Sequence, residues 1–202
     1  MKWIIPILVY LAVGLGMFIV RQAWVALLVF HLAIVISLLV VKPELPIKTL
    51  FTSRGYKWIL INILLCGSSG VVLYFLWDEF GIVKDFAAQV EALGLNSSTW
   101  LPFIAYFTLV NPLIEEYFWR GYLGSPTKDL HASDIAYAGF HGLILLDRMK
   151  ADAVVYALAM LVLAGWFWRQ VARKDGGLLA PVLGHMAADF SVLLAVYLRV
   201  AR

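Results

Sequence analysis

Seven apolar stretches leave this chain few ways to fold: residues 3–20, 23–41, 58–77, 101–123, 134–146, 153–171 and 179–198. A full membrane crossing takes about 20 apolar residues in helical conformation. Backbone N–H and C=O groups find no partner in hydrocarbon, so stretches of this kind become helices or a closed β-barrel. A barrel shows alternating segments of roughly ten residues, and none occurs here. The chain is 63% hydrophobic and 14% charged, with a mean hydropathy of +0.88, whereas soluble domains carry roughly 25% charged residues. The expected fold is all-α, a polytopic transmembrane bundle of about seven to eight helices. At 202 residues one bundle is expected rather than two domains, so residues 1–202 read as one transmembrane helical domain. A net charge of +3 is too small to suggest nucleic acid, and the single cysteine, Cys66, excludes an internal disulfide.

Loop charges orient the bundle. Residues 42–57 carry Lys42, Lys48, Arg54 and Lys57 against Glu44, and residues 172–178, bordered by Arg169, add Arg173 and Lys174. Loop 78–100 carries Asp78, Glu79, Asp85 and Glu91 against Lys84 alone. With seven crossings, Lys2 and the two basic loops share one face, which the positive-inside rule places in the cytoplasm together with the N-terminus. Arg148, Lys150, Arg199 and Arg202 fall on the opposite face. The first stretch reads as a retained helix rather than a cleaved signal peptide, because Arg21-Gln22 leads directly into the next one. Residues 134–146 are too few to cross untilted and read as a partial helix inside the bundle.

Three of these segments carry ionisable groups where they are most costly. Charges at bilayer depth face a bundle interior and mark functional sites. At a rise of ~1.5 Å per residue, Glu115 lies about 13 Å from its helix end at Gly124. His141 lies about 10 Å from Asp134 and His185 about 9 Å from Leu179. All three ends are on the basic face, so three independent segments place polar groups at one depth. Glu116 and Arg120 are spaced i,i+4 with the acid first, the favourable order for a helical ion pair. Glu115 is turned about 100° from Glu116 and is poorly placed to share that arginine, which leaves it the candidate general base. His185 and Asp189 are also i,i+4, and Tyr137 precedes His141 by four residues on the same face. Asn111-Pro112 is expected to break the helix above the glutamates.

These residues resemble the signature of the CAAX-protease and bacteriocin-processing (CPBP, or ABI) intramembrane glutamic endopeptidases. That family carries EExxxR on one helix, FxxxH on the next and HxxxN or HxxxD on a later one. Here they stand as EEYFWR at 115–120, YAGFH at 137–141 and HMAAD at 185–189. The likeness covers roughly residues 101–198, with Tyr137 where phenylalanine is usual. The resemblance implies that Glu115 activates a water and that His141 positions it. His185, oriented by Asp189, would stabilise the oxyanion, while Glu116 and Arg120 hold the helix geometry. It implies no metal and no cofactor. The partners it implies are the lipid bilayer and a membrane-associated peptide or protein substrate, lipidated or carrying a C-terminal anchor, cleaved near that end. The expected location is the inner (cytoplasmic) membrane.

Two alternatives stand beside this reading. A zinc-dependent membrane hydrolase would use the same residue types as ligands, although there is no HExxH and Arg120 stands beside the site. A membrane immunity or scaffold protein would be non-catalytic. His31 reads as a satisfied core residue and His131 as a loop residue, while Gly67, Ser68, Ser69 and Gly70 beside Cys66 read as a close-packing patch.

Overall fold

The computed structural model describes residues 2–200; Arg202 lies outside them. All seven apolar stretches are helical, and no strand occurs among the described residues, only a β-bridge between Ile82 and Met149. The helices are α1 (Ile5–Gly14), α2 (Ala23–Val41), α3 (Tyr56–Phe75), α4 (Phe86–Ala92), α5 (Trp100–Glu115), α6 (Ala132–Leu145), α7 (Ala151–Asp175) and α8 (Leu179–Val200). Of these, α2, α3, α7 and α8 are long and apolar enough to cross a membrane. The outer surface is apolar, with Val40 77%, Phe75 75% and Leu64 72% exposed, while Glu115, Glu116, Arg120, Arg169 and His185 are buried. Apolar outside and ionisable inside is the distribution a lipid solvent selects. The chain is a multi-pass membrane protein.

Two helices widen into π-helix. Residues Leu15–Val20 continue α1 in that form, and Glu116–Tyr122 continue α5. Pro112 does not break α5, as the sequence suggested, but sits inside it. Its missing N–H leaves the carbonyl one turn back without its helical donor, and the ladder shifts register four residues later, at Glu116. The π turn has a packing consequence: Glu115, Glu116, Phe118, Trp119 and Arg120 are all buried. Such turns concentrate at functional sites.

The loops pair at both ends of the bundle. Leu178 donates its N–H to Thr49 O at 2.9 Å, and Arg54 donates its N–H to Asp175 Oδ1 at 3.0 Å, which joins the two basic segments. At the other end, Lys150 donates its N–H to Gly81 O at 2.8 Å and Val83 to Arg148 O at 3.1 Å. Two local expectations need correction. Residues 78–100 are not all loop, since they contain α4. Helix α7 runs on to Asp175, so Arg173 and Lys174 lie in its last turn, where cations complement the helix dipole. His131 is a loop residue, as expected, and caps α6, taking the Ser133 N–H on its Nδ1 at 3.2 Å while its own N–H donates to Asp134 Oδ2 at 3.0 Å.

Small residues bring α3 against α8, the helix that carries His185. Gly70 donates its N–H to Ser191 Oγ at 3.1 Å, and Gly67 faces Ala187. A Cβ on Gly184 would stand 2.7 Å from Asn62 Cβ, closer than carbon atoms pack. Gly184→Ala is therefore expected to lower stability by about 1–3 kcal/mol through overpacking, read as a lower melting temperature in detergent. A variant that melts with the parent would contradict this close approach.

Candidate active site

Three helices and the π segment converge on one buried polar cluster. Glu116 Oε1 lies 3.1 Å from Arg120 and 2.8 Å from His185 Nδ1. The Arg120 guanidinium covers the Tyr137 ring at 3.9 Å from its centroid and the Trp168 ring at 4.8 Å. Cation–π contact strengthens when both groups are desolvated, so the arginine is held by one carboxylate and two aromatic faces. Glu115, on the preceding residue, is 2% exposed. It makes no ion pair among the described residues, and its Oε2 has no hydrogen-bond partner there. His185, Asp189 and Arg120 lie close enough to interact with it electrostatically, and Asn111 is its side-chain hydrogen-bond partner. The two adjacent glutamates therefore occupy different environments: Glu116 is engaged by two cationic residue types, and Glu115 is not.

His185 is fixed more tightly than its own helix could manage. Its Nδ1 meets Glu116, and its ring stacks on Trp168 with centroids 4.5 Å apart and planes 21° apart. Nε2 lies 3.5 Å from Asp189 Oδ1, long for a hydrogen bond. Glu116 is thus the nearer carboxylate to this ring, although Asp189 is the one at i+4. Trp168, which carried no signal in the sequence, sits between Arg120 and His185 and packs against Tyr137 at 6.0 Å.

His141 faces the same aromatic group. Its ring lies 5.0 Å from Tyr137 and 4.0 Å from Phe140. Its Nδ1 stands 3.0 Å from Tyr137 O. A carbonyl only accepts, so Nδ1 carries the proton and Nε2 is left as an acceptor when the ring is neutral. Tyr137 is only 2% exposed and touches His141, His185, Arg120, Trp119 and Trp168. It is the common wall of the cluster.

Two further groups surround the site. Asn111 donates from Nδ2 to Asp189 Oδ2 at 3.2 Å, and its Oδ1 stands 3.0 Å from His31 Nε2. The core histidine is therefore wired to the cluster through an asparagine. Depth within one helical turn could have hinted at it: His31 lies about 12 Å into α2 and Asn111 about 16 Å into α5, both counted from the acidic-loop face. Arg169, which the sequence counts at a loop border, is buried and pairs with Asp134 at 2.7 Å. It also donates to the carbonyls of Ser125, Thr127 and Asp129, which pins the segment between the π turn and α6. A cavity of about 290 Å³ lies beside the cluster toward the basic loops, with Arg120, Gly121, Arg169, Arg173 and Leu178 among its walls.

Residues 97–191, just under half of the chain, match the family model described as type II CAAX prenyl endopeptidase Rce1-like. This segment is a CAAX-protease (CPBP) family domain. All three motifs fall inside it, and His31 falls outside. With several apolar helices around that domain, the protein is a membrane-embedded peptidase. No curated protein and no solved structure matches the chain.

Proposed function

We propose that the protein is an intramembrane glutamic endopeptidase in which Glu115 is the general base. The observation that supports this most is the contrast between the adjacent glutamates. Glu116 is held by Arg120 and His185, and Glu115, also buried, has no ion-pair partner among the described residues. A positioned carboxylate can take a proton from water in the transition state. The water donates one hydrogen to Glu115 and the other to His141 Nε2, which directs its lone pair at the scissile carbonyl carbon. As the C–O bond forms, Glu115 takes the proton and the carbonyl oxygen becomes anionic. His185 gives its Nδ1–H to Glu116, so it acts as an imidazolium whose Nε2–H, with only a long contact to Asp189, is the donor for that oxyanion. Collapse breaks the C–N bond, and Glu115 returns its proton to the leaving amine. Glu116, Arg120 and Tyr137 hold this geometry, and no covalent intermediate forms.

The substrate is a membrane-associated peptide or protein cut near its C-terminus or membrane anchor. Because the matched family model is described as a prenyl endopeptidase, a quenched fluorescent farnesylated peptide ending in a CaaX tetrapeptide is the first probe. Residues 1–202 act as one bundle in the inner membrane, with the basic loops and N-terminus in the cytoplasm.

The chemistry is independent of metal. A zinc site would draw on Glu115, His141 and His185 as ligands at ~2.0–2.2 Å. Using all three as ligands would leave no general base but Glu116, which Arg120 and His185 already engage. Cleavage of the farnesylated peptide is expected to be unchanged by EDTA or phenanthroline, with no stoichiometric zinc in the purified protein. Inhibition reversed by added zinc would overturn the mechanism.

A further inference from the structure

A directed line of hydrogen bonds leaves the site and ends on a helix outside the family-matched segment. Asp189 Oδ2 is a pure acceptor when ionised, so the Asn111 group 3.2 Å away is its NH₂. That fixes the amide, with Oδ1 pointing at His31 Nε2, 3.0 Å away. His31 Nε2 must then carry hydrogen. Its Nδ1 is left to accept from the Tyr106 hydroxyl at 3.2 Å. The order is Tyr106, His31, Asn111, Asp189, and the other carboxylate oxygen of Asp189 faces His185 Nε2.

The burial of this line calls for a reason. His31 is 4% exposed and Asn111 1%, in helices whose buried residues, Ser37 and Glu115 apart, are otherwise apolar, including Phe30, Ile34, Phe103 and Ile104. Packing alone does not ask for them, because replacing both partners of a buried hydrogen bond with apolar groups of the same shape is often neutral or stabilising. What the pair supplies is a fixed direction. The Asp189 side chain is 14% exposed and has no cation other than His185 within ion-pair distance among the described residues, so little else holds its rotamer.

We propose that His31 and Asn111 are positioning residues for the reaction: His31 fixes the Asn111 amide, and the amide fixes the Asp189 carboxylate against His185 Nε2. The proposal rests on the peptidase reading above, in which that nitrogen serves the oxyanion. His31 acts through two other side chains and touches no reacting atom.

The test is solution NMR of protein carrying ¹⁵N in its histidine rings, in detergent micelles, paired with turnover of the farnesylated CaaX peptide. In the parent, His31 is expected as the Nε2–H tautomer. His31→Phe should move the ¹⁵N ring signals of His185 and lower kcat by up to about 10²-fold, the effect of a misplaced catalytic group, with KM unchanged. His31→Gln keeps an N–H for Asn111 and should restore most of the turnover. A purely structural His31 would lower the melting temperature in both variants without moving His185. Finding His31 as the Nδ1–H tautomer in the parent overturns the proposal. So do unchanged His185 signals and kcat in a folded His31→Phe protein. If His31→Phe does not fold, the parent tautomer and Tyr106→Phe, which removes only the hydroxyl, decide the same question. If the His185 signals move as expected but the parent itself cleaves no peptide, the relay stands and the peptidase reading fails.

Discussion

Arg120→Ala is expected to destabilise the protein by about 3–5 kcal/mol, the loss seen when one partner of a buried ion pair is removed. The deleted guanidinium neutralises Glu116, which is 0% exposed, and lies over both the Tyr137 and Trp168 rings. Its loss leaves a buried carboxylate facing only His185 and opens a gap between two aromatic faces. Arg120→Lys should recover part of the loss, since an ammonium keeps the charge but cannot match the planar stacking. The readout is thermal unfolding in detergent for the parent and both variants. A melting temperature for Arg120→Ala equal to the parent's would mean that Glu116 does not depend on this arginine.

Much of the fold was legible because hydropathy and helix length are linked by the thickness of a membrane. The stretch read at 23–41 is α2 to the residue, and the stretches at 179–198 and 153–171 fall short of α8 and α7 only at their ends. The shared face of the two basic loops followed from counting crossings, and the Thr49–Leu178 and Arg54–Asp175 bonds join them. The i,i+4 order of Glu116 and Arg120 was equally local, and their contact is present.

What escaped was set by contacts between helices. The π turn at Glu116 begins four residues beyond the proline associated with it, and the proline alone does not say where the ladder will shift. Arg169 looked like a loop cation because its partner, Asp134, is 35 residues away on another helix. The approach of Glu116 to His185 spans 69 residues, and nothing in the spacing on α8 competes with Asp189 as the obvious partner. Trp168 is one of eight tryptophans in the chain. Only packing separates it from those at the helix ends.

Glu115→Gln is expected to reduce turnover by about 10²–10⁴-fold, the usual contribution of a general base, and to leave folding intact. The amide keeps the shape of the side chain and cannot take a proton from water. No ion pair is broken by the lost charge, because Glu115 makes none among the described residues. Glu116→Gln should behave differently, weakening the hold on both Arg120 and His185 and lowering the melting temperature along with activity. The most direct measurement is the initial rate of farnesylated CaaX peptide cleavage by the purified Glu115→Gln protein, with its melting temperature recorded on the same sample. A rate at background with a melting temperature equal to the parent's is the predicted result; a folded Glu115→Gln protein that still cleaves at the parent's rate would contradict Glu115 as the base.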